Sequence, residues 1–178
     1  MERPLTIKWK EIRDKALTLV DAKLRRRFLV MSMLFLFNGR ARPYDLRKEA
    51  EKFNLSYKSV LRGLNDLRLE GLVESEDNEY VLKEEAMKAI GMILEFQRVL
   101  EQEATEALEK GRELGNVYEY LSRLDEGLQS IGRNYETFKA LYSYASNLIS
   151  EVRKAVKDLL SIRRALIEAE EVIGGRGV

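Results

Sequence analysis

From residue 56 to residue 81 the chain reads S-Y-K-S-V-L-R-G-L-N-D-L-R-L-E-G-L-V-E-S-E-D-N-E-Y-V, and its apolar positions change period partway through. Val60, Leu61, Leu64 and Leu67 recur at steps of three and four, which predicts one buried stripe on a helix. Ser56 precedes that stripe as an N-cap, its hydroxyl placed to accept a free N–H of the first turn. Gly71 follows it, where a left-handed residue ends a helix. Leu72-Val73 and Tyr80-Val81 are then β-prone pairs on either side of Asp77-Asn78, the pattern of a tight hairpin. Upstream, Pro43 opens a shorter helix that runs to Phe53 with Leu46, Ala50 and Phe53 inward, and Asn54-Leu55 is a tight turn into the Ser56 cap.

The flanking segments are also helical in pattern. Trp9, Ile12, Ala16 and Val20 predict an amphipathic helix over residues 5–20, which either runs on into a helix over 24–37 or bends near Asp21. Asn38-Gly39 ends that second helix. Its run from Phe28 to Phe37 is broken only by Ser32 and is far short of the ~20 residues that span a bilayer. It lies too far inside the chain, with no small-residue cleavage site after it, to be a signal peptide. It reads as a buried helix, apolar on nearly every side, and the expected location is cytoplasmic.

Another helix begins near Lys83 and reaches Gly111, with Ile90, Ile93, Leu100, Ala104 and Leu108 on one side. Gly111 and Gly115-Asn116 mark a turn. From Leu114 the chain carries Val117, Leu121, Leu124, Leu128, Ile131, Tyr135, Phe138, Tyr142, Ala145, Ile149, Val152, Val156 and Leu159 at alternating steps of three and four, with Gly127 and Gly132 beside the stripe. This reads as one heptad helix of more than six repeats. After Leu159 the register slips by one residue and continues at Ile162, Leu166, Ala169 and Ile173. A stripe of this length needs partner helices, either the 83–111 helix of the same chain or a second copy; a homodimer is the expectation.

Two short helices joined by a tight turn, the second followed by a hairpin, resemble the winged helix-turn-helix regulators of the MarR and PadR type, in an archaeal form. The resemblance covers about residues 23–89 and rests on the S-x-x-S-V-x-R-x-L-x-x-L-x-x-E-G-L-V string from Ser56 to Val73 and on Tyr80-Val81-Leu82. It implies a mainly α fold: an N-terminal helix (1–22), a winged helix-turn-helix domain with a small β-hairpin wing (23–82), and long helices forming a coiled-coil-like dimerisation bundle (83–178). It also implies sequence-specific binding of double-stranded DNA by a homodimeric transcriptional regulator, on half-sites one turn apart, with helix 56–70 in the major groove. Folds of this kind also serve as protein-interaction modules, so the alternative is an assembly protein that docks a protein partner on the winged helix.

Composition narrows the chemistry. The 178 residues include no cysteine and no histidine, which removes disulfides, thiolate metal sites and the commonest general base. No Gly-rich phosphate loop is present, no enzymatic activity is expected, and no cofactor is called for. The charged fraction of 34% suits long exposed helices and would also suit a thermophile. The net charge of +1 conceals a segregation. Residues 23–68 hold twelve basic and four acidic side chains, and residues 69–113 hold five basic and thirteen acidic. The basic segment contains the candidate recognition helix.

On that helix Tyr57, Lys58, Ser59 and Arg62 are the N-terminal outward residues, with Asn65 and Asp66 further along. Arg62 has the fork that grips guanine O6 and N7, and Lys58 reaches the same atoms less specifically. Tyr57 and Ser59 suit phosphate. Arg40, Arg42, Arg47, Lys48 and Lys52 are expected to hold the backbone nearby. Arg25-Arg26-Arg27 is expected to be a hydrated face flanking the dimer core. The wing departs from the family, where its turn commonly carries arginine or lysine for a flanking minor groove. Here it reads Glu74-Ser75-Glu76-Asp77-Asn78-Glu79, and Lys83 and Ala86 stand where a threonine and a glycine often follow. Such a wing is repelled by phosphate and is expected to stay out of the groove. The aromatics Tyr135, Phe138, Tyr142 and Tyr144 suggest packing first and a small-molecule effector pocket second.

Overall fold

The computed structural model describes residues 6–131 and 135–176, so Leu5 and Gly132 lie outside the described residues. The chain is mainly α-helical with one small antiparallel sheet. Helix α1 (Trp9–Thr18) buries Ile12 and Ala16. The chain then bends, as the Asp21 carboxylate accepts the N–H groups of Lys23 and Leu24 and caps α2 (Ala22–Leu36). Asn38 and Gly39 both adopt positive φ and stop α2, and strand β1 (Arg40–Ala41) follows. Next come α3 (Pro43–Ala50), a single 3-10 turn (Glu51–Phe53), and left-handed Asn54, which reverses the chain into the Ser56 cap of α4 (Tyr57–Glu70). The Ser56 hydroxyl accepts the Ser59 N–H at 3.1 Å, and Gly71 ends α4 at φ 90°.

Strands β2 (Val73–Glu76) and β3 (Glu79–Leu82) form the hairpin. Asp77 and Asn78 both have positive φ, the turn whose twist matches antiparallel strands. The sheet order is β1-β3-β2, with Arg40 opposite Val81 and Ala41 opposite Tyr80. β1 had no signal in the pattern, since two residues show no periodicity. It forms because the Gly39 turn carries the chain back to β3, where the Leu82 N–H donates to the Gly39 carbonyl at 2.7 Å.

The remaining chain is α5 (Glu84–Glu109), α6 (Tyr118–Ser130) and α7 (Glu136–Arg176). The expected single helix from Leu114 onward is therefore two helices. α6 folds back along α5, as the Tyr120 hydroxyl meets Glu103 at 3.3 Å and Gly127 lies beside Met92. α7 runs in the same direction as α5, with Tyr144 donating to Gln97 at 3.0 Å and Arg163 donating to the Leu108 carbonyl at 2.9 Å. Most of the heptad stripe is buried inside the chain by these neighbours, from Val117 and Leu121 on α6 to Ile149, Val152 and Val156 on α7.

A single cluster of buried side chains joins Ile7 to Val156, and α2 lies at its centre, touching α4 and α3 as well as α5 and α7. That explains its all-round apolarity: Phe28, Val30, Met31, Met33 and Leu34 are buried against different neighbours. Phe28 packs on Tyr144, ring centroids 5.1 Å apart, and Tyr135 meets Phe138 edge-on at 4.9 Å. Three of the four aromatics considered for an effector pocket are thus buried packing, and only Tyr142 is exposed. No described helix is long and apolar enough to cross a membrane.

Candidate nucleic-acid interface

Helix α4 has two faces with opposite uses. Its inner face buries Val60, Gly63, Leu64 and Leu67 against α2. Gly63 is required by contact, since a Cβ there would lie 2.7 Å from Val30 Cγ2. Leu61 is not part of that stripe and is 37% exposed. The i, i+3, i+4, i+7 set is already filled by positions 60, 63, 64 and 67, so Leu61 is turned outward.

Along the edge of the inner face, Arg26 Nη2 lies 3.1 Å from Asp66 Oδ2, and Arg27 Nη1 lies 3.4 Å from Glu70 and 3.5 Å from Glu136. Glu70 also accepts the Thr137 N–H at 2.7 Å and the Thr137 hydroxyl. A carboxylate at the start of α7 meets the positive end of that helix's dipole, so Glu70 ties the end of α4 to the beginning of α7. The arginine triplet is not a hydrated face: Arg25 donates to the Thr18 carbonyl at 3.0 Å, and Arg26 and Arg27 are partly buried ion-pair partners. Asp66, expected outward, belongs to this inner network.

The outer face carries Lys58, Leu61, Arg62, Asn65, Arg68 and Leu69, all exposed. Lys58, Arg62, Asn65 and Leu69 follow one helical row. Arg68, which the sequence reading passed over, donates to Asn65 Oδ1 at 3.3 Å and widens that row; its spacing of three from Asn65 was the available signal. Tyr57 and Ser59 are half-buried. The Ser59 hydroxyl sits 3.0 Å from that of Ser56, and Tyr57 lies under the Arg47 guanidinium, 5.6 Å from ring centre. These two residues build the start of α4 more than they project from it.

From α3, Arg47 and Lys48 are exposed, Lys48 lying 5.3 Å from the centre of the exposed Tyr44 ring. Arg42 is exposed at the head of α3, where its N–H donates to Asp45 at 3.4 Å. Among the described residues, Arg42, Arg47, Lys48, Lys58 and Arg62 form no ion pair, whereas Lys52 pairs with Glu49 at 3.4 Å. The first turn of α4 contains no acidic side chain. Its free N–H groups, the positive end of its dipole and the neighbouring cations therefore add in sign, the arrangement that receives a phosphate.

The hairpin is the electrostatic opposite. Glu74, Ser75, Glu76 and Asp77 are exposed. Arg40 is drawn to it, 3.4 Å from Glu76 and 3.9 Å from Glu79, and Lys83 lies 3.3 Å from Glu74. Arg40 is thus brought to the hairpin acids and not to the α3–α4 cations. Elsewhere, Met92, Phe96, Val99, Tyr120 and Leu124 line an apolar groove of ≈ 530 Å³ between α5 and α6. Among the described residues, no group of three or more carboxylates is placed to hold a metal. No family model, no curated protein and no solved structure matches the chain.

Proposed function

We propose that the chain is a winged helix-turn-helix protein that binds double-stranded DNA sequence-specifically, with α4 in the major groove, and acts as a homodimeric transcriptional regulator. The carrying observation is the sorting of cations around α4: those facing inward are ion-paired, and among the described residues Arg42, Arg47, Lys48, Lys58, Arg62 and Arg68 on the α3–α4 outer face are not. Unpaired arginines and lysines on a convex helical edge are what release counterions from phosphates and reach base edges. Arg62 reads bases, Lys58 supports it, and Asn65 stands one turn further along the groove. Leu61 supplies an apolar contact suited to a thymine methyl. Arg42, Arg47 and Lys48 take the backbone. Fluorescence anisotropy of the protein with duplex DNA at several salt concentrations tests this. The three backbone contacts give a slope of about −2.7 in log K against log salt per copy; a flat dependence rejects the proposal.

A second reading draws on Leu69, which is 78% exposed on the same face, and on the acidic hairpin. Both suit docking to a protein partner. Salt-independent capture of a protein that is lost on Leu69→Ser, with no DNA binding, supports that reading instead.

A further inference from the structure

Helix α7 has 41 residues, and only its first half is packed. Val152 and Val156 are buried, yet from Ser161 to Gly175 every side chain is exposed. The change coincides with a break in the apolar pattern. The buried stripe, continued by seven from Val156, arrives at position 163, and that position is Arg163. Its guanidinium donates to the Leu108 carbonyl at 2.9 Å and closes the packing at the end of α5. The apolar positions become Ile162, Leu166, Ala169 and Ile173: Leu166 and Ile173 keep the phase of Leu159, while Ile162 and Ala169 stand one residue before the positions that Arg163 and Glu170 take. The arm's stripe lies beyond the contact of Arg163 with the end of α5 and is left uncovered, with Leu166 53% and Ile173 72% exposed. An apolar stripe of this length left in water gains free energy when a partner covers it.

We propose that the cover is the same arm of a second copy, running antiparallel. The charges decide both the partner and the direction. Arg163 and Arg164 lie in the first half of the arm, and Glu168, Glu170 and Glu171 in the second. A parallel pair places like charges side by side. An antiparallel pair stacks Ile162 on the partner's Ile173 and Leu166 on the partner's Ala169. Between those layers Arg163 then meets the partner's Glu170, and the twofold axis repeats the pair in reverse.

This pairing sets a distance. Its centre falls between Ile167 and Glu168, so the two α7 helices run outward in opposite directions. At about 1.5 Å per residue the two Glu136 residues are about 95 Å apart. Glu70 joins α4 to α7 at that far end. The two α3–α4 faces therefore cannot occupy half-sites one turn, about 34 Å, apart. They suit half-sites close to three turns apart, or two separate duplexes. The DNA consequence rests on the function proposed above, and the pairing does not.

Sedimentation of the free full-length protein reads the pairing alone. The expected species has twice the 20.7 kDa chain mass at tens of micromolar. Ile162→Asp with Leu166→Asp, both on the exposed arm, is expected to give a monomer with the thermal transition of the body unchanged. Glu170→Arg is expected to weaken the dimer about tenfold, and adding Arg163→Glu to restore it. The chain has no cysteine, so direction can be read by oxidation: Leu166→Cys mixed with Ala169→Cys cross-links, and Leu166→Cys alone does not. A wild-type monomer at 100 μM, a dimer that survives the double aspartate, self-linking by Leu166→Cys, or linking of the arm to cysteines placed in the α5–α6 groove would each overturn the proposal. A DNA-binding failure in a protein that still pairs would overturn only the function proposed above.

Discussion

Basic side chains on the two sides of α4 serve different ends. Arg26 and Arg27 on α2 meet Asp66 and Glu70 on its inner edge, and their charge is consumed in holding α2, α4 and α7 together. Lys58 and Arg62 on its outer row meet no carboxylate among the described residues, so their charge remains available. A count of basic residues along the chain does not separate these uses. What separates them is whether an acid lies across the helix contact, and that is a property of the packing.

The largest effect expected from that contrast is on stability. Arg27→Ala leaves Glu70 partly buried with its cation removed, a loss of about 2–3 kcal/mol, somewhat less than for a fully buried pair because Thr137 still donates to it. Gly63→Ala follows, at about 1–3 kcal/mol, because the new methyl meets Val30 in a packed contact. Chemical denaturation followed by circular dichroism measures both. Arg62→Ala is expected to change stability by less than about 0.5 kcal/mol while costing about 1–3 kcal/mol of specific DNA affinity, which would separate the faces cleanly. The smallest effect is at the hairpin. Glu74→Gln with Glu76→Gln removes exposed acids, frees Lys83 and leaves Arg40 only its longer contact with Glu79, so nonspecific DNA affinity should rise a few-fold, and less at high salt. A hairpin change that outweighs Arg62→Ala would place the interface on the hairpin.

The local punctuation of this fold was legible in the sequence. Ser56, Asn54, Gly71 and the Asp77-Asn78 turn do what their side chains and backbone freedom predict. Longer-range relations were not. The heptad stripe reads as one helix because steps of three and four say which face is apolar but not whether that face belongs to one helix or to two, as it does in α6 and α7. The one-residue slip after Leu159 was visible, and its meaning needed Arg163 seen against the end of α5. In the candidate interface, Lys58, Arg62, Asn65, Arg42, Arg47 and Lys48 are exposed as their helical positions suggest. Asp66 and Arg40 were misplaced, because their partners Arg26 and Glu76 lie 40 and 36 residues away in the chain.

The central claim is that the outer row of α4 meets DNA, and the most direct measurement is the salt dependence of duplex binding by wild type beside Lys58→Ala with Arg62→Ala. The double variant should keep the wild-type unfolding midpoint, lose preference among sequences, and keep most of the log–log salt slope, which Arg42, Arg47 and Lys48 supply. Unchanged affinity and sequence preference in a folded double variant would contradict the account.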